Sequence, residues 1–329
     1  MYYIKKITNK KIWNNFIINN FNFYSFLSSW EWKFKKDLFK VLRYGIYDEK
    51  ENLIIIPFIK TLAKRTYLFS PHTPLIIDYF EILKAIKKDL IEIKKEASFI
   101  RFNPPVENII ENYNNFKNIF SSSPIHEHAE ETNILDLIKS EEELLNEIDK
   151  KDRYYIKRAI KEQVKVRIDN NQDHIETLIK MHQEHSKKIY HAFSEKYIKN
   201  LYKIFQNNIR TISASYEKIE SILMTIKFQT CVYYIAASDI IHSKFSPNYL
   251  CQWTAILQAK KDGAKFYNFW VTPDKNPKHP LAVSQFKRKF KDYFLIHAQD
   301  LIISPKYFIT WIIESIRRIK RYYYVIPKR

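Results

Sequence analysis

Only two glycines, Gly45 and Gly263, occur in a chain of 329 residues. Phosphate-binding loops depend on closely spaced glycines, because a backbone N–H reaches a phosphate oxygen only where no Cβ stands in the way. A P-loop, a dinucleotide fingerprint and the pyrophosphate loop of acetyl-CoA-dependent acetyltransferases all need such spacing, and none can be written with these two. The usual nucleotide-triphosphate and dinucleotide enzymes are excluded, acetyl-CoA is excluded as a donor, and no cofactor is expected.

The charge points toward anionic partners. The net charge is +19, with a pI near 9.5. Such a balance favours nucleic acid, phosphorylated metabolites or an acidic lipid surface. Part of it is solvated surface, since the chain is rich in Lys, Ile, Asn, Tyr and Phe throughout. Cys231 and Cys251 lie outside any CxxC or His-spaced cluster, so neither a disulfide framework nor a zinc site is expected. His182 and His185 flank Glu184 but lack a third ligand, and no metal is expected. The N-terminus has no apolar signal core, and no run approaches the ~18 apolar residues of a spanning helix. These features predict a cytoplasmic protein. From Pro305 to Tyr324 the pattern predicts an amphipathic helix with Arg317, Arg318, Lys320 and Arg321 bunched late. It suits either docking on a core or peripheral contact with the inner face of a membrane.

Hydrophobic periodicity alternates between strand and helix. A buried strand is predicted over 53–59, a helix over 79–95 and a strand over 99–102. The polar stretch 120–131 is the best domain boundary. After it come a strand over 132–137 and a helix capped by Ser140 with Glu143 at capping-box spacing. A long helical region over 174–205 precedes strands at 209–215, 222–226 and 231–236. A helix over 247–261 stops at Asp262-Gly263, and 266–271 is the next strand. Two helix-and-strand halves predict an α/β (α+β) protein with a duplicated domain. The domains are set at 1–131, completed by 305–329, and at 132–304.

Several stretches in order resemble the Fem family of peptidyltransferases, which builds peptidoglycan cross-bridges. They are Phe26-Leu27-Ser28-Ser29-Trp30-Glu31-Trp32-Lys33-Phe34-Lys35-Lys36; Thr132-Asn133-Ile134-Leu135-Asp136-Leu137 with Ser140-Glu141-Glu142; and Arg153-Tyr154-Tyr155-Ile156-Lys157-Arg158-Ala159. Residues 247–263 and Phe286-Lys287-Arg288-Lys289-Phe290 complete the set. The resemblance implies two tandem acetyltransferase-like (GNAT) domains. It also implies an aminoacyltransferase that moves an amino acid from aminoacyl-tRNA to an amine of a UDP- or lipid-linked peptidoglycan precursor. No heptad run appears, so the chain is similar to members without a coiled-coil arm. The sequence departs from the family at Asn103 and Asn268, where the family often carries Asp, and in the turns at 70–74 and 270–271. An acyltransferase acting on an exopolysaccharide or lipid amine, or a binding protein with a GNAT-like shell, stays open as an alternative.

The resemblance also assigns residues. Lys287, between Phe286 and Phe290, takes the catalytic position, where a fixed ammonium can stabilise an oxyanion. Lys36, with Lys35 as the close alternative, takes the position that contacts precursor phosphates. Trp32, Asn103, Lys188, Tyr234 and Trp270 fall at substrate-binding positions. Arg153, Lys157 and Arg158 are candidates for tRNA or phosphate contact through a basic helix face. With Asn103 in place of Asp, no protein carboxylate offers itself as a general base.

Overall fold

The computed structural model describes residues 2–21, 24–32, 41–55, 58–61, 67–71, 99–103, 114, 120–124, 132–186, 193–239, 241–271, 281–290, 301–303 and 307–323. The chain forms two compact units, Met1–Glu131 with Leu295–Arg329, and Thr132–Phe294. Each holds its own sheet.

In the first unit, β1 (Tyr3–Lys6), β2 (Val41–Tyr47), β4 (Phe58–Thr61), β5 (Tyr67–Pro71) and β6 (Phe99–Asn103) are consecutive neighbours, and β3 (Leu53–Ile55) pairs with β2. β14 (Leu301–Ile303) joins β6 to β7 (Ser121–Ser122), which ties the C-terminal segment to this sheet. The segment returns at Leu295, ahead of 305. The single strand expected over 53–59 is instead two strands, β3 and β4, each paired to β2. Pro57 lies between them in sequence and has no N–H for a ladder. The helix predicted over 79–95 lies outside the described residues. α1 (Lys10–Asn20) starts at Asn9, whose side chain accepts from the N–H of Lys11 and Ile12, and it buries Trp13 and Ile17.

The second unit has sheet order β8 (Thr132–Asp136), β13 (Phe266–Val271), β12 (Thr230–Ser238), β11 (Ile219–Lys227), β10 (Ile209–Ser215), β9 (Lys165–Asp169). Two of its helices, α2 (Glu141–Glu147) and α3 (Lys150–Lys161), precede β9. The long helical region expected from 174 is α4 (Gln172–Ser186) and α5 (Glu195–Phe205), with 187–192 outside the described residues. α6 (Pro247–Lys261) connects β12 to β13, and α7 (Leu281–Arg288) follows.

The two sheets repeat one plan. The series β1-β2-β4-β5 and β9-β10-β11-β12 are antiparallel throughout, and each ends on a parallel partner, β6 or β13. Parallel neighbours require a crossover connection, which in the second unit is α6.

Local signals set several boundaries. Ser140 and Glu143 form the reciprocal capping box at the start of α2. α6 ends in a Schellman motif, with Ala264 N–H on Ala259 O and Gly263 N–H on Lys260 O, and Gly263 takes φ +82°. α3 ends by the same two bonds, from Val164 to Ala159 and from Gln163 to Ile160, yet Gln163 holds φ +58° without glycine's freedom. The core of the second unit packs Leu135, Leu144, Ile156, Ile212, Leu223, Ile256 and Phe269 between sheet and helices. Among the described residues, no helix is long and apolar enough to cross a membrane.

Candidate active site

The second sheet opens at its one parallel pair. β12 and β13 pair from Thr230↔Phe266 through Val232↔Asn268 and go no further. Both strands are irregular where they part. Across from β12, Met224 faces Ile235 and Thr225 faces Tyr233, so Tyr234 is an extra residue in β12. In β13, Asn268 faces Ile134 and Val271 faces Thr132, so β13 also carries an extra residue. Bulges twist a strand and re-aim its side chains. Here two bulges flank one split, at the carboxyl end of parallel strands, where ligands of open sheets bind.

Asn268 braces the β13 bulge. Its Oδ1 accepts from the Trp270 N–H at 2.7 Å and from the Thr132 hydroxyl. Both partners donate, so the position requires an acceptor oxygen, which an amide supplies as well as a carboxylate. Trp270 sits at φ +62°, a conformation that costs a bulky residue about 1–2 kcal/mol. Its ring meets Tyr234 edge-on at 5.4 Å.

At the β12 bulge Tyr233 and Tyr234 make different contacts. Tyr234 donates to or accepts from Tyr197 at 2.7 Å and stacks on Phe193, which also stacks on Tyr197 and His182. His182 donates from Nδ1 to Ala236 O and accepts the Phe193 N–H at Nε2. Both ring nitrogens are thus spent on structure. No cluster of metal-ligating side chains occurs among the described residues. Burial pushes the Tyr197 hydroxyl up to about 12 and raises that of Tyr234 well above its ordinary value.

Tyr233 meets Phe269 edge-on and carries Lys287 over its ring, with Nζ 5.2 Å from the centroid. Lys287 ends α7. Phe286 and Phe290 straddle it and pack on Tyr249, while Phe290 also packs on Phe269. Only 7% of Lys287 is exposed, and burial lowers its ammonium to about 7. Two effects oppose each other here. A desolvated cation–π contact favours the charged form by about 2 kcal/mol. Removing a lysine from water costs several units of pKa, and desolvation wins.

A buried carboxyl group sits near the approach to α6. Glu220, fully buried in β11, accepts the backbone N–H groups of Ile241 and His242 and bonds His242 Nδ1. Ser246 then enters α6 at φ +53°. The Ile241 and His242 N–H groups in the loop ahead of this helix are therefore occupied by the chain's own carboxyl group.

The other sequence candidates are dispersed. Trp32 is buried at 3% and Asn103 at 0%, both in the first unit, Asn103 at the end of β6. Arg153 donates from Nη1 to Asn146 O, closing the end of α2, while Lys157 is exposed and Arg158 half-buried on α3. Lys35, Lys36 and Lys188 lie outside the described residues. Of the sequence candidates, Tyr234 and Trp270 come together at the split, and Lys287 lies over the Tyr233 ring of β12. Sequence reasoning missed Tyr233, Tyr197, Phe193 and Glu220. Nothing in the sequence marks them.

Two acetyltransferase-like sheets in tandem, each with its parallel pair, define the class: a tandem GNAT-fold protein. Comparison with known proteins narrows it. Residues 210–298 match the FemAB family model. The fold matches the crystal structure of FemX with a TM-score of 0.80 at 16% identity, covering 95% of this chain and 100% of that one. L-PGS from Bacillus licheniformis matches at 0.51 and 12% identity, covering 82% and 87%. A conserved protein of unknown function from Bacteroides thetaiotaomicron matches at 0.52 and 12%, covering 80% and 86%. No curated protein sequence matches the chain. Residues 210–298 are thus similar to the FemAB family, and the likeness to FemX extends, as fold, over 95% of the chain.

Proposed function

We propose that the chain is an aminoacyltransferase that moves an amino acid from aminoacyl-tRNA to an amine of the peptidoglycan precursor's stem peptide. The observation that carries the chemistry is Lys287, buried with its ammonium over the Tyr233 ring of β12 and lowered to about 7. An amine of that basicity is suited to proton transfer at neutral pH.

The donor is an activated ester and the acceptor is an amine. In this reading the acceptor nitrogen attacks the ester carbonyl, the C–N bond forms, and the neutral Nζ of Lys287 takes the proton released from nitrogen. The resulting ammonium stabilises the tetrahedral oxyanion. As the C–O bond breaks, it returns the proton to the departing ribose hydroxyl, and lysine ends neutral. Lys287 thus fills the general-base role for which the sequence offered no carboxylate. Asn268 keeps a bracing role that needs only an acceptor, so its departure from Asp leaves the bulge intact. Glu220 of β11, bonded to the Ile241 and His242 N–H groups of the loop ahead of α6, supports a donor other than acetyl-CoA, because a pyrophosphate taking those donors would have to displace a buried carboxylate. Lys36 and Lys35 hold the precursor's phosphates, and Arg153, Lys157 and Arg158 serve the tRNA, Lys157 being the most available.

The test incubates the full chain with mixed aminoacyl-tRNAs and UDP- or lipid-linked precursor and reads product mass. A precursor heavier by one aminoacyl residue, largely lost in Lys287→Met, supports the proposal. An unmodified precursor overturns it. A polysaccharide or lipid amine acylated in its place would favour the alternative acceptor.

A further inference from the structure

The C-terminal helix α8 (Tyr307–Tyr323) is inverted. A surface helix of a globular protein turns its apolar stripe inward and its polar residues out. Here Thr310 and Glu314, one turn apart, are buried at 3% and 1%. Glu314 forms an ion pair with the fully buried Arg101 of β6 and accepts from Arg317. The apolar residues are the exposed ones: Phe308 at 72%, Ile312 at 38%, Ile316 at 47% and Ile319 at 55% form one stripe at i, i+4, i+8 and i+11, with Ile309, Trp311 and Ile313 exposed beside it. Contiguous exposed apolar surface of this kind marks a binding face.

We propose that α8 lies in the interfacial layer of an anionic lipid bilayer, with this stripe among the acyl chains. Charge selects the occupant. From 307 to 329 the chain has six cations, Arg317, Arg318, Lys320, Arg321, Lys328 and Arg329, and one acid. That acid, Glu314, is the residue turned inward, so the segment presents no exposed carboxylate to repel a negative surface. Trp311 and Phe308 add rings that favour the headgroup boundary. The helix is not long and apolar enough to cross the bilayer, which leaves it lying on the surface. A second copy of the chain fits less well, because two bodies of net charge +19 would be pressed together along a basic segment. The proposal stands independently of the transfer reaction.

The test floats the full chain with phosphatidylcholine vesicles and with vesicles containing about one quarter phosphatidylglycerol. Binding is expected to the anionic vesicles only, and to weaken several-fold between low and high salt. The variant Phe308→Ser/Ile312→Ser/Ile316→Ser removes three exposed side chains and should keep the wild-type circular dichroism and melting temperature. It should bind anionic vesicles at least ~100-fold more weakly, since each large apolar group contributes roughly tenfold or more. Unchanged vesicle binding by this variant would overturn the proposal and shift the contact to basic surface elsewhere. No vesicle binding, with a concentration-dependent dimer that the variant abolishes, would overturn it in favour of a second copy. Aminoacyl transfer to a UDP-linked precursor should be the same in both proteins, which separates this inference from the catalytic one.

Discussion

Replacing Lys287 by Met should slow transfer to a small residual rate and yet stabilise the protein, and the gain should depend on pH. The ordinary lysine value is 10.5 and the folded value about 7. At about 1.4 kcal/mol per unit, that difference corresponds to a burial cost of roughly 5 kcal/mol. The sign follows from the proton count. Below pH 7 the folded and unfolded states both carry the ammonium, and the cost is paid in full. Between about 7 and 10.5 the unfolded state binds the extra proton, so stability rises with pH. Above 10.5 neither state is charged and the cost is gone. Met keeps most of the length and the apolar contact with Tyr233 without a charge, so Lys287→Met removes the dependence. Urea denaturation of both proteins at pH 6 and pH 9 measures it. The variant should exceed wild type by several kcal/mol at pH 6, and the difference should shrink by about 2–3 kcal/mol at pH 9. Transfer by wild type should show an ascending limb near pH 7 in kcat, absent from the variant's residual rate. A stability difference that is flat with pH would refute the argument that burial governs this lysine.

Three further outcomes follow from particular contacts. Gln163→Gly should raise stability by about 1 kcal/mol, because Gln163 holds φ +58° in a Schellman turn that favours glycine; thermal melts of the two proteins check it. Asn268→Leu removes the acceptor for the Trp270 N–H and the Thr132 hydroxyl and should cost about 2–4 kcal/mol, whereas Asn268→Asp, which keeps an acceptor, should cost much less; denaturant titrations compare them. Cys231 and Cys251 are buried, with thiols pushed up to about 12, so an aromatic disulfide reagent at pH 8 should label neither until denaturant is added, and rapid labelling of the native protein would contradict that burial.

Much of the second unit was legible from local pattern. α6 and β13 begin and end where periodicity and the Asp262-Gly263 stop predicted, and the Ser140–Glu143 box starts α2. These features arise within a few residues of chain, where backbone chemistry acts alone. The motif around Lys287 also pointed to a residue that the fold does bury against aromatic rings. Other features depended on neighbours far away in sequence. The extra residues at Tyr234 and in β13 exist only relative to partner strands, and no local pattern reports a register. Trp32 reads as a recognition aromatic, but the packing of the first unit buries it. The periodicity of 305–324 announced an amphipathic helix without saying which face turns inward. That was decided by Arg101, more than two hundred residues earlier in the chain, whose buried charge requires Glu314 and so leaves the apolar stripe outside. Sequence alone determined the elements whose caps and periodicity are strong, such as α2, α6 and β13, because those preferences are short-range. Proton affinity, bulge position and the outward face of a helix were decided by tertiary structure, because each is set by the dielectric and the partners that distant segments supply.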